Sequence, residues 1–303
     1  MILNKNEITR HLNTKGYIVI KDFINNSDIS VNFLNYIKKK DKFVDGVIHG
    51  LDKKYYARID KKIKILAKLL KTKNLNISDK KFGYTSIRIK KTKNTKPKLI
   101  KPFNFHKDPK VMPGGVLNWH IDHFMYYFHE DYKNYLICYI PILKSNSLYS
   151  NVAIIPYDKL KKFDLYSYNK IKNRGAVRFR KVENDTKPWF DLRFKKPTNV
   201  GDWYALDDHS DITDGWRVRA DLEKIKVVPK LDLNDLLIMK PDIIHKTNDA
   251  KIDRIAIRCD ILPKNSFYEQ SFLGFLKICL SYFFRSKKSR YNLKKYIKNY
   301  IFN

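Results

Sequence analysis

Apolar residues near the start of the chain recur at helical spacing, and from about residue 82 the spacing changes to alternation. Residues 6–12 form a short amphipathic stretch, with Gly16 placed where a helix would end. The β-branched run Tyr17-Ile18-Val19-Ile20 predicts a strand. Asn25, Asn26, Ser27 and Asp28 then form an N-cap cluster that opens a helix over 28–40, whose closing lysines suit the negative end of the dipole. Ile59, Ile63, Leu66 and Leu70 make one stripe of a helix over 58–71. Strands are predicted at 84–89, 117–124, 135–142, 151–156, 176–182, 200–206, 224–228, 235–239 and 252–261. Many short strands after a helical layer imply an α+β, mainly β fold: an antiparallel sandwich or jelly roll braced by the N-terminal helices. Residues 157–200 are polar and irregular by comparison and read as an insertion between core strands.

Composition narrows this picture. The 303 residues are 43% hydrophobic and 14% aromatic, enough for a sizeable core, which excludes disorder, collagen-like repeats and a disulfide-built miniprotein. Cys138, Cys259 and Cys279 have no metal-ligand spacing, and the start MILNKNEITR carries no apolar signal segment, so a reducing, cytoplasmic compartment is expected. No apolar run is long enough for a transmembrane helix. The net charge of +31 has two accounts. One is compositional drift on a solvated face, because lysine is spread evenly and accompanied by many Asn, Ile and Tyr. The other is attraction to an anionic substrate or lipid. Nucleic acid is the less favoured partner, since no stripe of arginine and aromatics marks a base-reading surface.

The motif His-x-Asp occurs at His106/Asp108, His120/Asp122, His129/Asp131 and His209/Asp211, so context must choose among the four. The first and last lie in turn-like settings, where Asp and Ser bond their own backbone, and the third sits in a polar link. His120-Ile121-Asp122 follows Leu117-Asn118-Trp119 in a strand-like run, so His120 and Asp122 share a face. His245 ends an apolar strand after a Pro241 turn and is the natural distant partner. Two imidazoles and one carboxylate form the facial ligand set of non-haem iron oxygenases.

The chain resembles the phytanoyl-CoA dioxygenase-like branch of the Fe(II)/2-oxoglutarate-dependent oxygenases. The resemblance runs from about residue 7 to 262, on the opening helix with Gly16–Phe23, Trp119–His123, Asn151–Leu160, and Asp235–His245 with Arg254. It implies a double-stranded β-helix (jelly-roll) core and Fe(II) held by His120, Asp122 and His245. It also implies 2-oxoglutarate anchored by Arg254, with Arg258 on the same face as rival anchor and Tyr139 as a further cosubstrate contact. The family's Pro-Gly-Ser-His turn is replaced by Pro156-Tyr157-Asp158-Lys159, which changes the pocket rim.

The expected activity is hydroxylation, desaturation or oxidative cyclisation at an unactivated C–H of a small, anionic metabolite, with dioxygen as oxidant. A non-catalytic jelly-roll binding protein and a basic nucleic-acid-binding protein are the alternatives. Trp119 and the aromatics at 124–128 read as core or cavity lining, and the stretches 189–193 and 216–219 as a lid or solvated loop. The expected organisation is one oxygenase domain over 1–262 and a basic helical extension over 263–303. In that extension, apolar residues 266–284 precede a run of Lys and Arg interleaved with Tyr291, Tyr296 and Tyr300. It reads either as a docked helix with a solvated tail or as a peripheral membrane contact through 266–300.

Overall fold

The computed structural model describes residues 4–29, 31–33, 35, 46–49, 55–70, 75–77, 83–87, 119–121, 135–172, 177–181, 201–207, 216–249 and 251–263. Asp122, the histidines at 106, 129 and 209, the aromatics at 124–128, the stretch 189–193 and the extension beyond 263 therefore lie outside the described residues.

The N-terminal elements follow the residue spacing closely. Asn4 Oδ1 accepts from the amides of Asn6 and Glu7, which starts α1 (Lys5–Thr14). Gly16, at φ 81°, turns the chain into β1 (Tyr17–Ile20), the predicted strand. Asn25 and Asp28 form a reciprocal capping box on one 3-10 turn, and residues 31–33 and 35 are helical. After β2 (Gly46–His49) comes α2 (Ala57–Leu69), which buries Ile59, Ile63 and Leu66 as the stripe requires. Then follow β3 (Leu75–Ile77), β4 (Gly83–Ile87), β5 (Leu136–Lys144) and β6 (Asn151–Ile155).

Residues 157–172 differ from the expected irregular insertion. They form α3 (Tyr157–Phe163) and α4 (Leu165–Ile171), because Leu160 and Ile171 bury against a sheet and Asp164 caps α4, whereas β7 (Val177–Lys181) is the strand expected at 176–182. Next are β8 (Trp203–Asp207) and β9 (Trp216–Val218). Trp216 is buried and donates Nε1–H to Ser167 Oγ at 3.1 Å, so this segment is core and not a lid. The strand expected at 224–228 is instead α5 (Leu222–Ile225), capped by Asp221, with only Val227 bridging to Ile154. The chain continues through β10 (Leu236–Met239), β11 (Ile244–Asn248) and β12 (Arg254–Pro263).

The fold is a mixture of helix and antiparallel sheet. One sheet has the order β1-β10-β5-β12-β4-β2, with β3 also paired to β12. Facing it, β6 pairs with β11, and β7, β8 and β9 form a meander. Residues 119–121 join these two pieces, since His120 bridges His245 on one side and Arg178 on the other. Ile137, Tyr139, Leu237, Met239 and Ala256 from the first sheet pack with Val152 and Ile154 from the second, so this core lies between the sheets. The outer face of the first sheet, with Cys138, Ile140, Ile255 and Ile257, is covered by Ile8 and Leu12 of α1 and the buried stripe of α2. Helices α3, α4 and α5 cover the outer face of the second through Leu160, Ile171, Leu222 and Ile225.

Candidate functional site

His120 and His245 stand directly opposite each other. The His120 amide donates to the His245 carbonyl at 3.0 Å and the His245 amide to the His120 carbonyl at 2.9 Å. Such a reciprocal pair puts both side chains on one face, here the face of Ile154, which is the register partner of His245. Their ring centroids are 4.3 Å apart, with 4% and 8% of the two residues exposed. On its other side the His120 segment is held to β7 by Ile121 N–H to Val177 O at 2.8 Å and Phe179 N–H to Trp119 O at 2.9 Å. His245 Nδ1 lies 3.0 Å from Ile243 O. A carbonyl only accepts, so Nδ1 carries a hydrogen, and in the neutral ring the lone pair then sits on Nε2, the tautomer of a metal-ligating histidine. Among the described residues no third His, Cys, Asp or Glu completes a metal-binding group with this pair.

The inner face of the other sheet carries cations. Arg254, only 4% exposed, donates Nη1–H to Ser150 O, while its Nε has no hydrogen-bond partner among the described residues. Its guanidinium carbon sits 5.3 Å from the Tyr139 ring centroid. Burial pulls the guanidinium pKa down, opposed in part by Tyr139. Lys144 is the register partner of Arg254, because the β5–β12 ladder slips by one residue between Ile255 and Ala256 and brings Lys144 to the inner face. Its ammonium donates to Ser147 O at 3.1 Å, Leu231 O at 2.9 Å and Asn151 Oδ1, and burial together with Arg254 lowers its pKa to about 8. Arg258, on the same face of β12, is half-buried and has Asp260 Oδ1 at 3.8 Å from its Nε. The two candidate anchors therefore differ. Arg258 has a carboxylate beside it, whereas Arg254 is desolvated and lies beside another cation, an arrangement that an anion would relieve.

Behind the histidine pair is a network that sequence reasoning missed. Trp119 is buried on the outer face, opposite to His120, so it is core and does not line the space between the sheets. Its indole N–H donates to Glu223 Oε1 at 2.8 Å, and Lys246, next to His245, lies 4.8 Å over its ring while donating to the same carboxylate oxygen. Lys226 donates to Glu223 Oε2 at 2.8 Å. Burial pushes the Glu223 carboxyl up, but these hydrogen bonds outweigh it and hold it down at about 2. One carboxylate thus ties together the residues adjoining both histidines. In the sequence Glu223 merely precedes the strand expected at 224–228 and is indistinguishable from a surface residue. Pro156-Tyr157-Asp158-Lys159, at the divergent rim motif, starts α3, and Tyr157 Oη donates to Asp242.

No family model matches the sequence. No curated protein matches it. Solved structures similar to the chain include the non-heme alpha ketoglutarate dependent epimerase SnoN from nogalamycin biosynthesis, at 11% identity and a TM-score of 0.47, covering 86% of this chain and 83% of that one. The carbocyclase SnoK from the same biosynthesis has 12% identity and a TM-score of 0.47 over 86% of this chain and 84% of its own. HygX from Streptomyces hygroscopicus, with nickel and 2-oxoglutarate bound, has 10% identity and a TM-score of 0.45 over 87% and 88%. At such distances the likeness transfers no chemistry to this chain.

Proposed function

We propose that this chain is an Fe(II)- and 2-oxoglutarate-dependent oxygenase on a jelly-roll core, acting at an unactivated C–H of a small, anionic metabolite. The observation that carries this reading is the pairing of two buried imidazoles on one sheet with a buried arginine on the facing sheet that has no carboxylate partner among the described residues. His120 and His245 would hold the iron with Asp122, two residues on from His120. The donor chemistry fits, since hydrogen bonding to Ile243 fixes Nδ1 as the donor and leaves Nε2 as the nitrogen that would ligate in the neutral ring. The iron would supply activation of dioxygen coupled to oxidative decarboxylation of the 2-oxoacid.

The chain's own residues then have defined tasks. Arg254 receives the far carboxylate of 2-oxoglutarate through a charge-assisted pair, its plane set by the Ser150 carbonyl and the Tyr139 ring. Lys144 adds positive potential behind it. The apolar residues between the sheets exclude water from the reacting atoms.

The decisive experiment supplies purified protein with ferrous iron and 2-oxoglutarate and follows succinate formation and dioxygen uptake. Iron-dependent succinate, abolished together with iron binding in His120→Ala and in His245→Ala, is the expected result. Undiminished iron affinity in both variants overturns the assignment of the ligands. Cosubstrate binding without any turnover would identify a non-catalytic binding protein of the same fold.

A further inference from the structure

The corner between α3 and α4 displays an apolar surface that neither the core nor the site uses. Phe163, Leu165 and Tyr166 are 54%, 52% and 51% exposed within four consecutive positions. Single exposed apolar side chains are ordinary, whereas a cluster of large ones marks a surface of contact. The same helices bury Leu160, Ser167 and Ile171 on their inner side, so the exposed triad is an outward face and not a frayed end. Asp164 fixes the corner. Its Oδ1 accepts from the Ser167 amide at 2.9 Å, and its Oδ2 accepts from Ser167 Oγ and the Arg219 amide at 2.6 Å each. The triad is therefore held in place before any partner arrives, which reduces the ordering cost of binding.

Cations surround it. Lys159, Lys161, Lys162, Lys170 and Lys172 lie in these two helices and at their end, where Asp158 is the one exposed carboxylate. Lys162 Nζ is 5.6 Å from the Phe163 ring centroid and Lys170 Nζ 5.5 Å from that of Tyr166, so positive charge borders the apolar side chains directly.

We propose that this corner is a peripheral docking surface for an anionic lipid membrane. Phe163, Leu165 and Tyr166 enter the headgroup region while the lysines meet lipid phosphates and carboxylates. The net charge of +31 reinforces the attraction over a Debye length. A nucleic-acid backbone would satisfy the lysines but offers nothing to Leu165, whereas the headgroup and acyl boundary of an anionic membrane takes up an apolar side chain and its cationic border together.

The test sediments the full chain with phosphatidylcholine vesicles, with and without phosphatidylserine. Binding should require phosphatidylserine and weaken as salt is raised. The triple variant Phe163→Ser, Leu165→Ser, Tyr166→Ser should partition roughly a hundredfold less well, and Lys161→Glu with Lys162→Glu about tenfold less or worse. All five side chains are exposed, so unchanged melting temperatures should show that the variants fold. No binding by the intact chain, binding that ignores phosphatidylserine, or full binding by the triple variant overturns the proposal; the last would move any lipid contact to another part of the chain. Retention on duplex DNA without vesicle binding would assign the basic surface to nucleic acid instead.

Discussion

Arg254 and Lys144 face each other across the β5–β12 ladder as two buried cations in register. Like charges so placed are unfavourable in isolation. The polar groups that satisfy Lys144 are the oxygens of Ser147, Leu231 and Asn151, none of which is charged. Asp232 and Asp235 offset this only in part, and on the proposed reading a dicarboxylate entering between the sheets would add negative charge beside the pair. Arg254→Ala should therefore cost about 2–5 kcal/mol of 2-oxoglutarate binding, as truncated buried charge pairs do, raising the concentration needed by roughly thirtyfold or more. Titration of cosubstrate affinity in Arg254→Ala and Arg258→Ala separates the two arginines. A large loss in the Arg258 variant with none in the Arg254 variant would reverse the assignment.

On the proposed reading, Glu223 should affect iron binding by His120 and His245 without itself touching the metal. Glu223→Gln keeps an acceptor for the Trp119 indole but removes the charge that holds Lys246 and Lys226. Direct hydrogen-bond partners of metal ligands matter by about 10–100-fold in affinity, and Glu223 acts one residue further out. The expected loss of iron affinity is about three- to tenfold, read by chelator competition. The pH dependence has a definite sign. The folded carboxyl sits at about 2, below its ordinary 4.5, so its stabilisation is fully present above 4.5 and lost as pH falls toward 2. Wild type and Glu223→Gln should differ in stability near neutrality and converge in acid. A constant difference across that range would show that the charge is not what matters.

The other three His-x-Asp motifs lie outside the described residues, while context in the sequence singles out His120 and His245, and the fold sets these two side by side. Their cross-strand pairing was not legible in detail, since β11 reads Ile-His-Lys-Thr-Asn and carries only one strongly apolar position. The run Leu-Ile-Cys-Tyr-Ile-Pro-Ile-Leu-Lys of β5 announces a strand but hides its faces, because both are buried and alternation disappears. Lys144 illustrates the cost. Simple alternation groups it with Ile140 and Ile142 on the helix-covered face, and the register slip places it opposite Arg254 instead. The run Lys224–Val228 alternates and so predicts a strand, while the local Asp221 cap on the Glu223 amide starts a helical turn over 222–225 instead.

Gly16 should not tolerate a side chain. Its φ of 81° is left-handed, and a Cβ there would lie 2.8 Å from Tyr157 Cε2 and 2.9 Å from Ile243 Cδ1. Its carbonyl accepts from the Lys240 amide at 2.8 Å, at the turn that leads into β11. Gly16→Ala should lose about 1–3 kcal/mol through backbone strain and this crowding, lowering the melting temperature. Because Ile243 also carries the carbonyl that orients His245, iron affinity should fall with it. A variant as stable as wild type would mean that the turn relaxes freely.

Lys144 offers a final check, through the sign of a pH slope. Burial, then the charge of Arg254, brings its pKa from 10.5 to about 8 in the folded chain. Between those two values the unfolded chain binds a proton that the folded chain has released, so this group makes stability rise with pH across that window. The destabilising charge is fully present below about 8 and relieved as pH approaches 10.5. Other lysines and tyrosines titrate in the same range, so the informative quantity is the difference between wild type and Lys144→Met, in which their contributions cancel. Denaturant unfolding at several pH values should show wild type gaining on the variant as pH rises from 8 to 10.5. In Arg254→Ala the second cation is gone, the Lys144 pKa moves back toward its ordinary value, and the window should narrow from its lower end. A difference curve that is flat in wild type, or unaltered by Arg254→Ala, would break the coupling between these two buried cations.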